Sequence, residues 1–170
     1  KHKSKDIVRY AQGDINFLLN REPSGQAAAF REKHGPSANA MAFRVRDAKL
    51  AYEEALKRGA EPFGDGIWTD GETIPAIKGI GGSVLYLVDT YGDATIYDDR
   101  FDALPGAGDT TGAGLQVLDH LTHNVFHGRM DHWAGFYETV FNFREIRYFD
   151  IKGQHTGLLS RAMTGPCGKL

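Results

Sequence analysis

The chain has 170 residues, of which 41% are hydrophobic and 11% aromatic, enough to bury the core of one domain or of two small ones. Twenty basic and twenty-two acidic residues give a formal net charge of −2. No long basic run is present, so a nucleic-acid surface is not expected. A single cysteine excludes an intrachain disulfide, and no apolar run reaches the roughly 20 residues of a membrane span. We therefore expect a cytoplasmic protein with no membrane role.

The chain opens with a predicted hairpin followed by a short helix. Residues 6–10 and 14–20 alternate in hydrophobicity, which predicts two strands with Gly13 at the turn between them. Ser24 is then a candidate N-cap for an alanine-rich helix, and Gly35 is a plausible stop for it. The order strand, strand, helix follows.

A strand and a longer helix come next. Residues 40–45 predict a strand, and residues 47–60 place apolar side chains at helical spacing up to a closing glycine. The stretches 61–72 and 77–82 are rich in turn residues and glycine. Residues 83–89, SVLYLVD, are apolar enough for a buried strand.

The middle of the chain contains a predicted interdomain connection. From residue 92 onwards the pattern is mainly that of a loop. Residues 101–114, FDALPGAGDTTGAG, carry four glycines and a proline with little apolar periodicity. We therefore divide the chain into a first domain, residues 1–100, a linker, residues 101–114, and the start of a second domain, residues 115–170.

The second domain is predicted to run strand, helix, strand, strand. Residues 115–126 predict the first strand, and residues 130–142 a helix. Residues 143–151 and 156–163 alternate as two further strands, with a turn near Gly153. One face of the helix is strongly aromatic and carries Trp133, Phe136, Tyr137, Val140 and Phe141.

The two predicted domains show a weak internal repeat. DAKLAYEEALKRGAEP, from Asp47, aligns with DHWAGFYETVFNFREI, from Asp131, at an offset of 84 residues. Two ordinary amphipathic helices could produce such a match. A predicted strand precedes both helices, however, which favours a true repeat.

Histidines are concentrated in LDHLTHNVFHGRMDHW, residues 118–133, which holds four of the seven in the chain. Neighbouring side chains of a strand point to opposite faces, so His120 and His123 cannot both reach one ion. His127 and His132 fall at the turn and at the start of the helix. The apparent cluster is therefore not a complete metal site.

His120 is the best single candidate for a metal ligand. It shares its predicted strand face with Thr122 and Asn124, which could line a cleft. Non-haem iron sites commonly use two histidines and one carboxylate, so one histidine is not enough. A hydrogen-bonded histidine without a metal is the ordinary alternative.

Two other chemistries have little support. The stretch KGIGGS precedes a predicted strand and lacks both the GxGxxG spacing and the ending of a phosphate loop, so it is interpreted as a turn. Ser160 and Cys167 have no base beside them in the sequence, so a nucleophilic hydrolase is not indicated.

Long strings of the chain closely resemble the bacterial 4-hydroxyphenylpyruvate dioxygenase family. The similarity extends over nearly the whole chain and is most specific in four strings: HGPSANAMAFRVRD, PAIKGIGGSVLYLVD, GLQVLDHLTHNVFHGRMDHWAGFYETVFNFREIRYFDIKG and TGLLSRAMT. The resemblance implies an α+β fold of repeated βαβββ modules, of the vicinal-oxygen-chelate or glyoxalase-like type. The opening strand and helix of the first module are missing, as is most of the catalytic domain, so we expect the chain to be an interior fragment.

The resemblance also implies a function. Members are non-haem Fe(II) enzymes that convert 4-hydroxyphenylpyruvate and O2 to homogentisate and CO2 in tyrosine breakdown. The first iron ligand of the family falls on His120, and a second histidine and a glutamate would lie beyond Leu170. Family positions in or near the substrate cavity fall on Ser160 and Thr122. The first domain of the family binds no metal, which agrees with the absence of histidine from residues 40–45.

Two alternatives stay open. The related 4-hydroxymandelate synthases use the same iron and substrate but hydroxylate the benzylic carbon. Glyoxalase-like folds also include binding modules without catalysis. The resemblance further suggests a homo-oligomer, and we expect the segment of 170 residues alone neither to bind iron tightly nor to turn over.

Overall fold

The structure is a computed structural model that describes residues 1–64, 67–69, 72–108 and 112–168. Contacts between Cα atoms divide the chain into two compact units. The first unit comprises Lys1–Glu53 and Glu61–Leu118, and the second comprises Glu54–Ala60 and Asp119–Leu170. Parts of the predicted turn-rich stretch 61–72 and of the predicted linker 101–114 lie outside the described residues.

The first unit begins with the predicted hairpin. Strands β1 (Ile7–Gln12) and β2 (Ile15–Asn20) pair antiparallel. Gly13 occupies the turn at φ 54°, a left-handed conformation that favours glycine. The apolar face of β2 is covered only in part, because Ile15 is buried while Phe17 stays 54% exposed.

Helix α1 (Gln26–His34) follows the hairpin, but the predicted cap is wrong. The residue before the helix is Gly25, at φ 85°, and no side chain caps the first turn. Glycine reaches this backbone angle without steric cost, so the chain enters the helix through its conformation and not through the hydroxyl of Ser24. The helix ends at Gly35 as predicted, and the N–H of Gly35 donates to the carbonyl of Arg31 at 2.8 Å.

A three-stranded sheet forms the centre of the first unit. It consists of β3 (Ala40–Arg44), β6 (Ala76–Lys78) and β7 (Val84–Val88), in the order β3-β7-β6. Strand β7 pairs parallel with β3 and antiparallel with β6. Helix α2 (Ala48–Lys57) and a short hairpin of β4 (Ile67–Thr69) and β5 (Glu72–Thr73) lie between β3 and β6 in the chain.

An isolated bridge extends this sheet at its far edge. Pro62 pairs antiparallel with Ile77 of β6. The N–H of Phe63 also donates to the carbonyl of Ala76 at 3.0 Å. With this rudimentary strand, the order of strands is that of one βαβββ module, in which the last strand lies beside the first. The expected module architecture is thus present from β3 to β7.

The core of the first unit is centred on β7. It is the central strand of the sheet, and its continuous apolar sequence is the pattern of a strand that is buried on both faces. The largest fully buried side chains are Ile77, Val84, Leu85 and Leu87. Ile77 lies directly opposite Leu85 in the β6–β7 pair. The predicted buried strand is therefore confirmed.

The second unit contains helix α3 (Met130–Phe141) and a long hairpin of β8 (Arg144–Lys152) and β9 (Gly157–Thr164). The two strands pair antiparallel from Arg144 opposite Thr164 to Lys152 opposite Gly157. Asn142 ends the helix in the left-handed conformation, at φ 55°. Helix and hairpin match the predicted elements.

The prediction of a strand over residues 115–126 is wrong, because these residues form no β-ladder in the structure. In the first unit, the strand before the helix is β3, and its ladder partner is β7, the last strand of the module. Across the described residues, the second unit has two strands after its helix and no counterpart of β7. A strand pattern without a partner strand cannot form a ladder.

Candidate metal site

His120 lies in the segment of residues 118–126, which precedes α3. Its side chain is 76% exposed, and its Nδ1 lies 2.7 Å from Oδ2 of Asp119. An Nδ1–H that donates to a carboxylate leaves the lone pair of Nε2 for another partner. This arrangement of carboxylate and imidazole is the one that many metal-binding histidines adopt.

His123 has a different environment from His120. Its side chain is half-buried, and its Nε2 lies 3.1 Å from the hydroxyl oxygen of Tyr137 on α3. The two rings are in contact, with their centroids 5.7 Å apart. Thr122 and Asn124, on either side of His123, are exposed. Burial thus alternates from Thr122 to Phe126, with His123 turned towards the helix, whereas residues 118–121 are all exposed.

The other two histidines of the stretch lie elsewhere. His127 is exposed, and the exposed His132 packs edge-on against Trp133, with ring centroids 5.0 Å apart. Asp131, in the first turn of α3, forms an ion pair with Arg161 of β9. Among the residues that the structure describes, no group of three histidine, cysteine, aspartate or glutamate side chains could hold a metal.

The two predicted substrate-binding residues occupy different elements. Thr122 is exposed in the His120 segment. Ser160 is half-buried on β9, where it pairs with Phe149 of β8. Within the described residues, no hydrogen bond joins Thr122 or Ser160 to His120. The described residues therefore do not join these two hydroxyl groups and His120 in one hydrogen-bonded network.

An aromatic cluster lies beside the histidine segment. Tyr137 packs against Phe136, Phe141 and Phe143, with ring centroids 5.2, 6.0 and 5.4 Å away. The sequence predicted the aromatic face of α3, but it did not predict the hydrogen bond to His123. Burial raises the pKa of Tyr137 to about 12 and lowers the pKa of His123 below its ordinary value.

These pKa shifts predict a pH-dependent stability. The ordinary pKa of histidine is 6.5, so in the unfolded chain His123 takes up its proton at a higher pH than in the folded chain. Uptake by the unfolded state lowers the free energy of unfolding as the pH falls below 6.5, down through the folded pKa. Urea unfolding at about pH 7.5 and at about pH 5.5 measures how much unfolding free energy is lost between the two pH values. We expect this loss to be smaller for H123Q than for the parent chain, because glutamine does not titrate. Equal losses in both proteins would contradict this assignment.

No described helix has both the length and the apolar composition needed to cross a bilayer.

Comparison with known proteins assigns the chain to a family. Residues 1–102 match the family model for hydroxyphenylpyruvate dioxygenase, HPPD, N-terminal. The chain is 54% identical to 4-hydroxyphenylpyruvate dioxygenase of Pseudomonas sp. (strain P.J. 874), over 99% of this chain and 48% of the relative. It is also 54% identical to hemolysin VllY of Vibrio vulnificus (strain CMCP6), over 100% of this chain and 48% of the relative.

A solved structure gives the same result. A fusion protein of a xylose isomerase-like TIM barrel and 4-hydroxyphenylpyruvate dioxygenase matches with a TM-score of 0.79 and 35% identity. That match covers 99% of this chain and 26% of the fusion protein. The chain spans about half the length of the curated relatives it matches. Since the family model covers residues 1–102 of the 170, the chain belongs to the hydroxyphenylpyruvate dioxygenase family.

Proposed function

We propose that this chain is part of a dioxygenase that converts 4-hydroxyphenylpyruvate and O2 to homogentisate and CO2 in tyrosine breakdown. The observation that carries the proposal is the 54% identity, over 99% of the chain, to a relative named 4-hydroxyphenylpyruvate dioxygenase. The chain spans 48% of that relative, so the proposed activity belongs to the longer protein.

The proposed cofactor is Fe(II), with His120 as one of its ligands. The hydrogen bond from Nδ1–H of His120 to Asp119 supports this role, since it leaves Nε2 as the donor atom for a metal. A second histidine and a glutamate, outside the described residues, would complete the set. When bound, iron would activate O2 and hold the keto acid in place.

Thr122 and Ser160 are the proposed substrate-binding residues. A hydroxyl group can donate one hydrogen bond and accept others, so each could orient a polar group of the substrate. Thr122 lies two residues after His120 and is exposed, as His120 is. Ser160 lies in the middle of β9, whose strand pairing would fix its backbone.

The domain organisation remains part of the proposal. We infer a structural domain over residues 1–100, a linker over residues 101–114 and the start of the catalytic domain over residues 115–170. The absence of histidine from β3, the strand that precedes α2, supports a first domain without a metal. We further propose a cytoplasmic homo-oligomer without a nucleic-acid partner, in line with the net charge of −2.

Product analysis tests this function. The full-length protein, loaded with Fe(II), is incubated with 4-hydroxyphenylpyruvate under air, and the products are separated by chromatography. We expect homogentisate, with one CO2 released for each keto acid consumed. Formation of 4-hydroxymandelate would instead indicate the synthase of the same family. An unchanged keto acid would indicate a binding module without catalysis.

A further inference from the structure

The segment that carries His120 lacks the usual support of a strand. The structure assigns no strand to residues 118–126, so ladder hydrogen bonds to a neighbour do not hold them in place. The hydrogen bond of His120 to Asp119 joins adjacent residues and cannot fix the segment against the rest of the unit. Another contact has to set its position.

The contact between His123 and Tyr137 has the geometry for this task. It connects two residues that are 14 positions apart, with 3.1 Å between Nε2 and the hydroxyl oxygen. A distance of 3.1 Å is within the range of a good hydrogen bond. The bond therefore ties the middle of the segment to helix α3.

The helix side of this contact is held firmly. Tyr137 lies among the rings of Phe136, Phe141 and Phe143, with centroids 5.2 to 6.0 Å away. Ala134 and Val140, on the same helix, are buried. A phenol packed in this way has few alternative rotamers, so its hydroxyl group offers a fixed point.

His123, the residue of the segment in this contact, also influences the direction of the His120 side chain. Side chains at odd separations along an extended segment point to opposite sides, and three residues span at most about 10 Å. With His123 held against α3, His120 is directed away from the helix. Its 76% exposed side chain agrees with this direction.

We propose that His123 and Tyr137 are a positioning pair that fixes the segment carrying His120 against helix α3. The inference rests on the proposed function, because it takes His120 to be a metal ligand. Neither residue would touch the metal or the substrate. Their effect would be to reduce the number of conformations from which His120 must be ordered when a metal binds.

Substitutions in the full-length protein can separate this role from general stability. Y137F removes only the hydroxyl group, and H123L removes the ring nitrogen. H123Q is the conservative variant, since the amide of glutamine can occupy the place of Nε2. W133L is the matched control, because Trp133 contacts Phe136 and His132 in the same cluster but makes no described ring contact with Tyr137.

The measurement is the Kd for Co(II), from anaerobic calorimetry, together with the thermal unfolding of the metal-free proteins. We expect Y137F and H123L each to raise the Kd about tenfold, as the loss of supporting residues around a metal site commonly does. The double variant should be no worse than either single variant. H123Q should recover part of the affinity. W133L should lower Tm and leave the Kd unchanged.

Two results would overturn the inference. One is an unchanged Kd in Y137F and H123L, and the other is an increase in W133L as large as theirs. If H120A abolishes Co(II) binding while Y137F leaves it intact, the positioning role alone is wrong. If the parent protein itself binds no metal and forms no homogentisate, the proposed function and the inference both fail.

Discussion

Replacement of His120 by alanine in the full-length protein is expected to abolish homogentisate formation. Alanine removes the imidazole that we propose as an iron ligand, and two remaining ligands would bind the metal weakly and leave its geometry undefined. The measurement is homogentisate production from 4-hydroxyphenylpyruvate under air, with excess Fe(II). We expect no product above background, together with a folded protein by circular dichroism.

H127A is the matched control for this substitution. His127 is also exposed and lies seven positions further along the same stretch. Because we assign it no ligand role, its replacement should leave product formation close to that of the parent. Retained homogentisate production in H120A, or an equal loss in H127A, would contradict the assignment of His120.

The second large effect is expected in the core of the first unit. Leu85 is fully buried on β7 and lies opposite Ile77 of β6. L85A would remove apolar contacts and leave a cavity in the core against the face of the sheet, which costs about 2–5 kcal/mol of unfolding free energy. Urea unfolding of the chain, followed by circular dichroism, measures this loss.

L50A provides the comparison for L85A. Leu50 is on α2 and is 54% exposed, so its truncation creates no cavity and alanine favours the helix. We expect a change within about 0.5 kcal/mol. If L85A were no more destabilising than L50A, β7 would not be the centre of the core.

Local patterns predicted most of the elements and the β1–β2 hairpin, but not the pairing of strands that are far apart in the sequence. The β1–β2 hairpin, α3 and β7 follow from periodicity and glycine placement within short windows. The parallel pairing of β3 with β7 joins residues more than 40 positions apart, so no local pattern encodes it. The N-cap residue of α1 is likewise Gly25 and not the predicted Ser24, because a favourable backbone conformation can take the place of a capping side chain.

The segment 115–126 shows the limit of this reasoning most clearly. Its alternation is that of a strand, and Thr122, His123 and Asn124 do alternate in burial. A β-strand also needs a neighbour for its backbone hydrogen bonds, and the first unit shows that this neighbour is the last strand of the module. Hydrophobic pattern alone cannot reveal whether that partner is present.

The candidate site was predictable only in part for a similar reason. The alternation expected of a strand predicted that His120 and His123 point apart, and in the structure the two histidines contact different residues, Asp119 and Tyr137. The contact of His123 with Tyr137 spans 14 positions and depends on where α3 packs. The bond of His120 to Asp119 depends on side-chain rotamers, which neighbouring sequence does not specify.

We propose that the chain supplies one ligand, His120, to a metal site that the longer protein completes. An anaerobic calorimetric titration with Co(II) or Fe(II), performed on the full-length protein and on this chain alone, measures this directly. We expect tight one-to-one binding by the full-length protein and no tight binding by the chain alone. Tight stoichiometric binding by the chain alone, or its absence from the full-length protein, would contradict the proposed ligand set.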